Sequence, residues 1–286
     1  MQQQFSWTIR QTRSSDQSLI SSLLTNAAHK HIHFDWLNVL DLLNEAPFLV
    51  ALNKQIPVAC LACQPDPPQV AWIRLFAVSK DIPKFEAWGR LWTAAAESAI
   101  KLGASRAVAL ATQDWFIPFL KESGFQEMNE VIFFKWDGDP HPNIAENGGE
   151  LRKMTLEDLP AVAEVDQSAF DPIWALSLRS LRTAYRLSSL ATVVSQGDQI
   201  IAYQMSTSSA LGAHIARLAV HPDLQGMGCG RALIANVLFD FSQRGLEQVT
   251  VNTQVDNLRS QQLYRSLGFQ PTGQRFSLLE TKLAQH

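Results

Sequence analysis

Leu218-Ala219-Val220-His221-Pro222-Asp223-Leu224-Gln225-Gly226-Met227-Gly228-Cys229-Gly230-Arg231 is the stretch whose reading decides the fold. An apolar strand runs into a loop with three glycines. The loop opens a helix, because Leu233, Ile234, Val237, Leu238 and Phe241 recur at helical spacing. Arg244-Gly245 supplies a cationic last turn and a C-cap glycine. A strand-to-helix junction of this kind suits an anion. Unpaired N–H groups at a helix N-terminus point outward, the dipole favours negative charge, and glycines admit a phosphate to the backbone.

Working outward, the same order of elements occurs twice. Ala71-Trp72-Ile73-Arg74-Leu75-Phe76-Ala77-Val78 aligns without a gap on Ala213-His214-Ile215-Ala216-Arg217-Leu218-Ala219-Val220. Glu122-Ser123-Gly124-Phe125 aligns on Ser266-Leu267-Gly268-Phe269. Two copies of one α/β unit are therefore expected. In the first copy Lys84, Glu86 and Trp88 stand where the loop glycines would be. A carboxylate and an indole there predict that the first copy does not hold a nucleotide in this way.

A seam lies between the copies, from Asp137-Gly138-Asp139-Pro140 to Asn147-Gly148-Gly149, rich in Pro, Gly, Asn and Asp. The expected organisation is a degenerate domain over 1–137, a linker over 138–149 and a cofactor-binding domain over 150–286. In the first domain, helices are expected over 16–28, 34–44, 85–102 and 116–123, with a single strand over 71–78. In the second, helices are expected over 156–170, 176–187 and 258–267, with two final strands from Phe269 onward.

With 46% hydrophobic and 18% charged residues, the 286-residue chain fits globular cores. A net charge of −3 gives no bulk signal for nucleic acid or an anionic membrane. No apolar run is long enough to span a bilayer, and the N-terminus lacks a signal-peptide pattern. Three cysteines make no disulfide framework, so a reducing cytoplasm is the default expectation.

The C-terminal half resembles the GNAT superfamily of acyl-CoA N-acyltransferases. Gln225-Gly226-Met227-Gly228-Cys229-Gly230 fits that family's Q/R-x-x-G-x-G/A loop, and Asn257, Tyr264 and Gly268-Phe269 fit its downstream N-(x6)-Y-(x3)-G-F signature. The resemblance covers about 150–282 and implies two GNAT-like domains, the first worn. Each would be a mixed, mostly antiparallel twisted sheet flanked by helices. It implies that acetyl-CoA is the co-substrate and that no metal is used. The pantetheine arm would run beside Leu218, Ala219 and Val220 as a pseudo-strand. The pyrophosphate would lie on backbone N–H groups from Gly226 to Arg231, behind Gln225. Asn257 would contact cofactor or an ordered water. Tyr264 would protonate the leaving thiolate, since a phenol near pKa 10 stays protonated at neutral pH. The acceptor implied is a small-molecule or peptide amine, attacking the thioester directly. A non-catalytic acetyl-CoA-binding scaffold and a protein N-terminal or lysine acetyltransferase are the alternatives.

The general base departs from the pattern. Family members similar to ribosomal-protein alanine acetyltransferases carry Glu five residues before the motif Asn, and here that position is Asn252. His214, Asp171 and Glu164 are the candidates left. Trp174, in Phe170-Asp171-Pro172-Ile173-Trp174, falls where similar proteins line the acceptor site. Asn257 also reads as an N-cap and Tyr264 as a core aromatic. Cys229 reads as a small loop residue rather than a nucleophile. Cys60-Leu61-Ala62-Cys63 lies on an apolar strand whose i and i+3 side chains face opposite ways, so with His29, His31 and His33 it makes a poor metal site.

Overall fold

A computed structural model describes residues 7–33, 38–138 and 148–284. Most of the linker expected over 138–149, its residues 139–147, lies outside the described residues. So do residues 34–37 of the helix expected over 34–44, Trp36 among them.

The elements run in the order β1 (Trp7–Gln11), α1 (Gln17–Asn26), β2 (His29–Ile32), β3 (Phe48–Asn53), β4 (Ile56–Ala62), β5 (Val70–Trp72), β6 (Leu75–Val78), α2 (Lys84–Lys101), β7 (Arg106–Ala111), α3 (Ile117–Glu122) and β8 (Gln126–Trp136). The second copy follows with β9 (Glu150–Lys153), α4 (Leu159–Ala169), α5 (Leu178–Leu187), β10 (Leu190–Gln196), β11 (Gln199–Ser209), β12 (Gly212–Val220), α6 (Cys229–Gln243), β13 (Val249–Gln254), α7 (Leu258–Ser266) and β14 (Gln270–Lys282).

The chain forms two compact units, 1–128 with 276–286, and 129–275. Strand pairing sets these limits rather than the Pro/Gly-rich seam. Residues 131–136 of β8 pair with β13, and residues 277–282 of β14 pair with β7.

In the first unit, β1, β3, β4, β6 and β2 form one antiparallel run in that spatial order. β3 is buried on both faces. Phe48, Val50 and Leu52 join Ile20 and Leu23 of α1, while Leu49 and Ala51 join Trp88, Leu91 and Ala95 of α2. That alternation follows the two-residue period of a strand. Cys60 and Cys63 likewise fall in different clusters, and burial pushes both thiols up to about 12.

Three sequence expectations need correction. Instead of a second helix, the described part of 29–44 holds β2 and a short 3-10 turn at Val39–Leu42. The alternation His29-Lys30-His31-Ile32 has the period of a strand, with His31 buried inward. The single strand expected over 71–78 is two. β5 runs parallel to β7 while β6 pairs with β4 and β2, the break falling at Ile73-Arg74. The two final strands are one, β14.

The second unit holds β9, β10, β11, β12, β13 and β8 in spatial order, all antiparallel except β12 with β13. α6 and α7 cover one face, where Ile234, Leu238, Phe241 and Tyr264 pack on Ile215, Val251, Phe134 and Trp136.

The duplication survives in a shared ion pair. Arg10 makes a two-pronged contact with Asp16 at 2.6 and 2.8 Å, and Arg152 does the same with Asp158 at 2.7 and 2.8 Å. In each copy the carboxylate also accepts a backbone N–H, of Arg13 or Thr155, at 2.8 Å. The arginine pulls each carboxyl below its usual range.

Candidate active site

The site begins with a divergence of two strands. β12 and β13 run parallel only over Ala213–Ile215 and Val249–Val251. Beyond that point Asn252, Thr253 and Gln254 stay paired to β8, while Arg217–Val220 stay paired to β11. The pairing of β12 with β11 slips by one residue at Ala216, since Met205 faces Arg217 and Ser206 faces Ile215. Such a bulge bends a strand locally. The edge of β12 from Arg217 to Val220 that faces away from β11 has no strand paired to it among the described residues. It is an open row of backbone donors and acceptors.

The glycine loop closes one end of this opening. Gly226 and Gly228 have φ of +90° and +85°, and Gly228 is the left-handed N-cap of α6. Side chains rarely adopt that conformation, so glycine is required there. Gly230 is held close for another reason: a Cβ on it would meet the Leu263 side chain at 3.1 Å. Gln225 donates its amide to the Val220 carbonyl at 3.3 Å, tying the loop back to the strand. Its Oε1 accepts from Arg259 on α7, a cation that motif reading passed over. The Cys229 side chain is buried and its thiol is raised by burial, so the residue offers the site its backbone rather than a nucleophile. Met227 is half-exposed, and Arg231 bonds Ser266 Oγ at 2.7 Å. The loop thus presents helix-start N–H groups in a form that fits a diphosphate.

Asn257 caps α7, its side-chain oxygen accepting the Ser260 N–H at 3.1 Å. Tyr264 follows about two turns later and packs against Phe134 and Phe269 at ring distances of 5.9 Å. Burial pushes its phenol up to about 12, so it is protonated at neutral pH.

The opposite face carries His214. Its Nδ1 lies 2.8 Å from Thr250 Oγ1, and that hydroxyl donates its proton to the Ala213 carbonyl at 3.2 Å. Thr250 therefore accepts from the imidazole, which places the ring proton on Nδ1. The Asn252 side chain also hydrogen-bonds this ring, and burial lowers the imidazole pKa. The structure thus brings together Asn252, at the point where the strands part, and the candidate base His214. An open groove lined by Thr207, Ser208, Ser209, Gln248, Thr250 and His214 adjoins them. The other two candidates stand apart from this cluster. Glu164 is exposed on α4, and Asp171 is exposed in the α4–α5 loop, accepting the Ile173 N–H at 3.0 Å.

Trp174 is reached from below. Arg217 Nη2 donates to the Trp174 carbonyl at 2.7 Å, and its guanidinium lies 3.6 Å from the Phe170 ring centroid. The same guanidinium contacts the fully buried Asp166, which also accepts the Tyr203 hydroxyl. Sequence reading missed this network. Its signal was Asp166 itself, a charge on the buried stripe of Leu159, Val162 and Ala163.

No helix of the described residues is long and apolar enough to cross a membrane. Comparison with known proteins agrees with the fold. Residues 159–269 match the acetyltransferase (GNAT) family. The chain is 27% identical over 119 residues to a ribosomal protein bS18-alanine N-acetyltransferase of Escherichia coli K12, covering 42% of this chain and 79% of that one. It is 31% identical over 160 residues to a mycothiol acetyltransferase of Cellulomonas flavigena, covering 55% of this chain and 40% of that one. Among solved structures, a tandem GNAT protein from the clavulanic acid biosynthesis pathway superposes with a TM-score of 0.69, 16% identity and coverage of 98% and 100%. The glycine loop, the parted strands and Tyr264 all fall within the segment that matches the acetyltransferase (GNAT) family.

Proposed function

We propose that the C-terminal copy transfers the acetyl group of acetyl-CoA to a primary amine by direct attack in a ternary complex. The observation that carries this reading is the open edge of Arg217–Val220 ending at the glycine loop. The backbones of Leu218 and Val220 would bond the pantetheine amides, with Ala219 between them. The N–H groups of Gly226, Met227, Gly228, Cys229, Gly230 and Arg231 would take the pyrophosphate, with Gln225 and Arg259 beside it and Asn257 at the cap of α7.

In the reaction the amine nitrogen bonds the acyl carbon and the C–S bond breaks. The amine loses a proton and the departing thiolate gains one. Tyr264 is the proposed donor to sulfur, kept protonated by its burial. His214 is the proposed acceptor. Its lowered pKa keeps the ring neutral, and Thr250 and Asn252 fix its orientation. The α4–α5 loop with Trp174 would form one wall of the acceptor site.

Asn252 in place of a carboxylate favours a second reading, an acetyl-CoA-binding protein without transfer. The two relatives named above differ in acceptor, one being named for a ribosomal-protein alanine and the other for mycothiol. A panel holding alanine-ended peptides, lysine peptides, amino sugars and simple amines, assayed by thiol release and product mass, separates the readings. Transfer to any amine supports the enzyme. Acetyl-CoA binding with no transfer across the panel supports the scaffold.

A further inference from the structure

In the first unit the position that corresponds to the open cofactor edge is filled by the chain itself. Leu75–Val78 aligns on Arg217–Val220, and both follow a segment that pairs in parallel with its neighbour, Ala71 with Ala107 in one copy and Ala213 with Val249 in the other. In the second unit one edge of Arg217–Val220 pairs with β11 and the other has no strand among the described residues. In the first unit both edges of Leu75–Val78 are taken. β4 lies on one side, and β2 lies on the other, with His29 opposite Val78, Lys30 opposite Ala77, His31 opposite Phe76 and Ile32 opposite Leu75.

β2 is fastened on its far side as well. Thr112 Oγ1, just past the end of β7, lies 3.2 Å from His31 Nδ1 and donates to the Ile32 carbonyl at 3.3 Å. The fully buried His31 ring stacks on Phe116 at 4.6 Å. His29 Nε2 accepts from the Lys84 ammonium at 3.2 Å, and Lys84 occupies a position where the second copy has a loop glycine.

We infer that β2 is an internal stand-in for a pantetheine arm, which closes the N-terminal slot to acyl-CoA and leaves the chain one cofactor site. The inference rests on the proposed cofactor edge of the C-terminal copy. A ligand entering the first slot would have to displace four strand residues, the buried His31 among them. It would then meet Lys84, Glu86 and Trp88 instead of glycines. The alternating histidines thus have a non-metal role: they shape a strand that fits an apolar, aromatic-lined slot on one side and polar groups at its mouth.

Amide hydrogen exchange on the intact chain tests this without a variant. The β2 amides that bond β6 are expected to exchange at least about 100-fold more slowly than an unstructured peptide. Saturating acetyl-CoA is expected to leave 29–32 and 75–78 unchanged. Fast exchange at β2 in the free protein, or a change at 29–32 on adding acetyl-CoA, overturns the inference. The proposed C-terminal site is read separately, by new protection at Leu218–Val220. Absence of that protection would count against the proposed function, whereas exchange at 29–32 reports on β2 alone.

Discussion

Arg217 places Nε 2.7 Å and Nη2 2.9 Å from the two carboxylate oxygens of Asp166, a residue with no exposed surface. The pair links β12, the strand at the centre of the site, to α4 beneath the acceptor loop. Breaking a buried pair leaves an uncompensated charge and typically costs about 3–5 kcal/mol. Asp166→Ala and Arg217→Ala should each lower the urea midpoint strongly, and the double variant should lose less than the sum. Additive losses would show that the two side chains do not act as a unit.

Tyr264→Phe keeps the packing against Phe134 and Phe269 and removes the phenolic proton. Turnover should fall by about 100-fold, within the usual range for a lost general acid or base, while acetyl-CoA affinity stays within about twofold. Unchanged turnover would remove the acid role and leave Tyr264 as a core aromatic.

His214 carries a pH signature. An imidazole whose pKa is lowered by burial is neutral at pH 7 and gains its proton only as the pH drops below its ordinary value near 6.5. As a base it must be neutral, so kcat/KM should fall on the acid side of neutrality. His214→Gln should cut turnover and abolish that acid limb. A limb that persists in His214→Gln belongs to another group.

Much of this fold was legible. The glycine loop needs positive φ at Gly226 and Gly228, and that requirement is written in residue type. The match between Ala71–Val78 and Ala213–Val220 exposed the duplication. What stayed hidden depended on partners remote in sequence. Four residues, His29–Ile32, fall between two expected helices, and their strand exists only against β6. The break at Ile73-Arg74 is set by a change of pairing partner, which apolar content does not reveal. Arg259 reads as an ordinary first-turn helix residue until the fold sets it beside Gln225. His214 and Asn252 lie 38 positions apart, and only the parallel pairing of β12 with β13 makes them neighbours.

The buried histidines in and just after β2 predict acid sensitivity. Burial lowers His31 from its ordinary 6.5 to about 4 and holds His33 well below its usual value, with Arg74 adding repulsion. The unfolded chain takes up these protons first. The His31 contribution to stability should therefore fall by about 3 kcal/mol as pH drops from about 6.5 to about 4. In His31→Phe the urea midpoint should depend less steeply on pH across that window. An equal slope in variant and parent would place the titration elsewhere.

Loop geometry gives a further expectation. Gly228→Val puts a β-branched residue at φ +85° and obstructs the helix start. Acetyl-CoA affinity should drop by more than about tenfold with the thermal midpoint lowered by only a few degrees. Unaltered affinity would mean that the diphosphate binds elsewhere.

The central claim is that acetyl-CoA lies along the open edge of β12. A crystal structure of the intact chain with CoA bound tests it most directly. The expected complex has pantetheine amides hydrogen-bonded to the backbone of Leu218 and Val220, the diphosphate at Gly226–Arg231 and the sulfur beside Tyr264. CoA seated against Leu75–Val78 in place of β2, or away from β12 altogether, would contradict it.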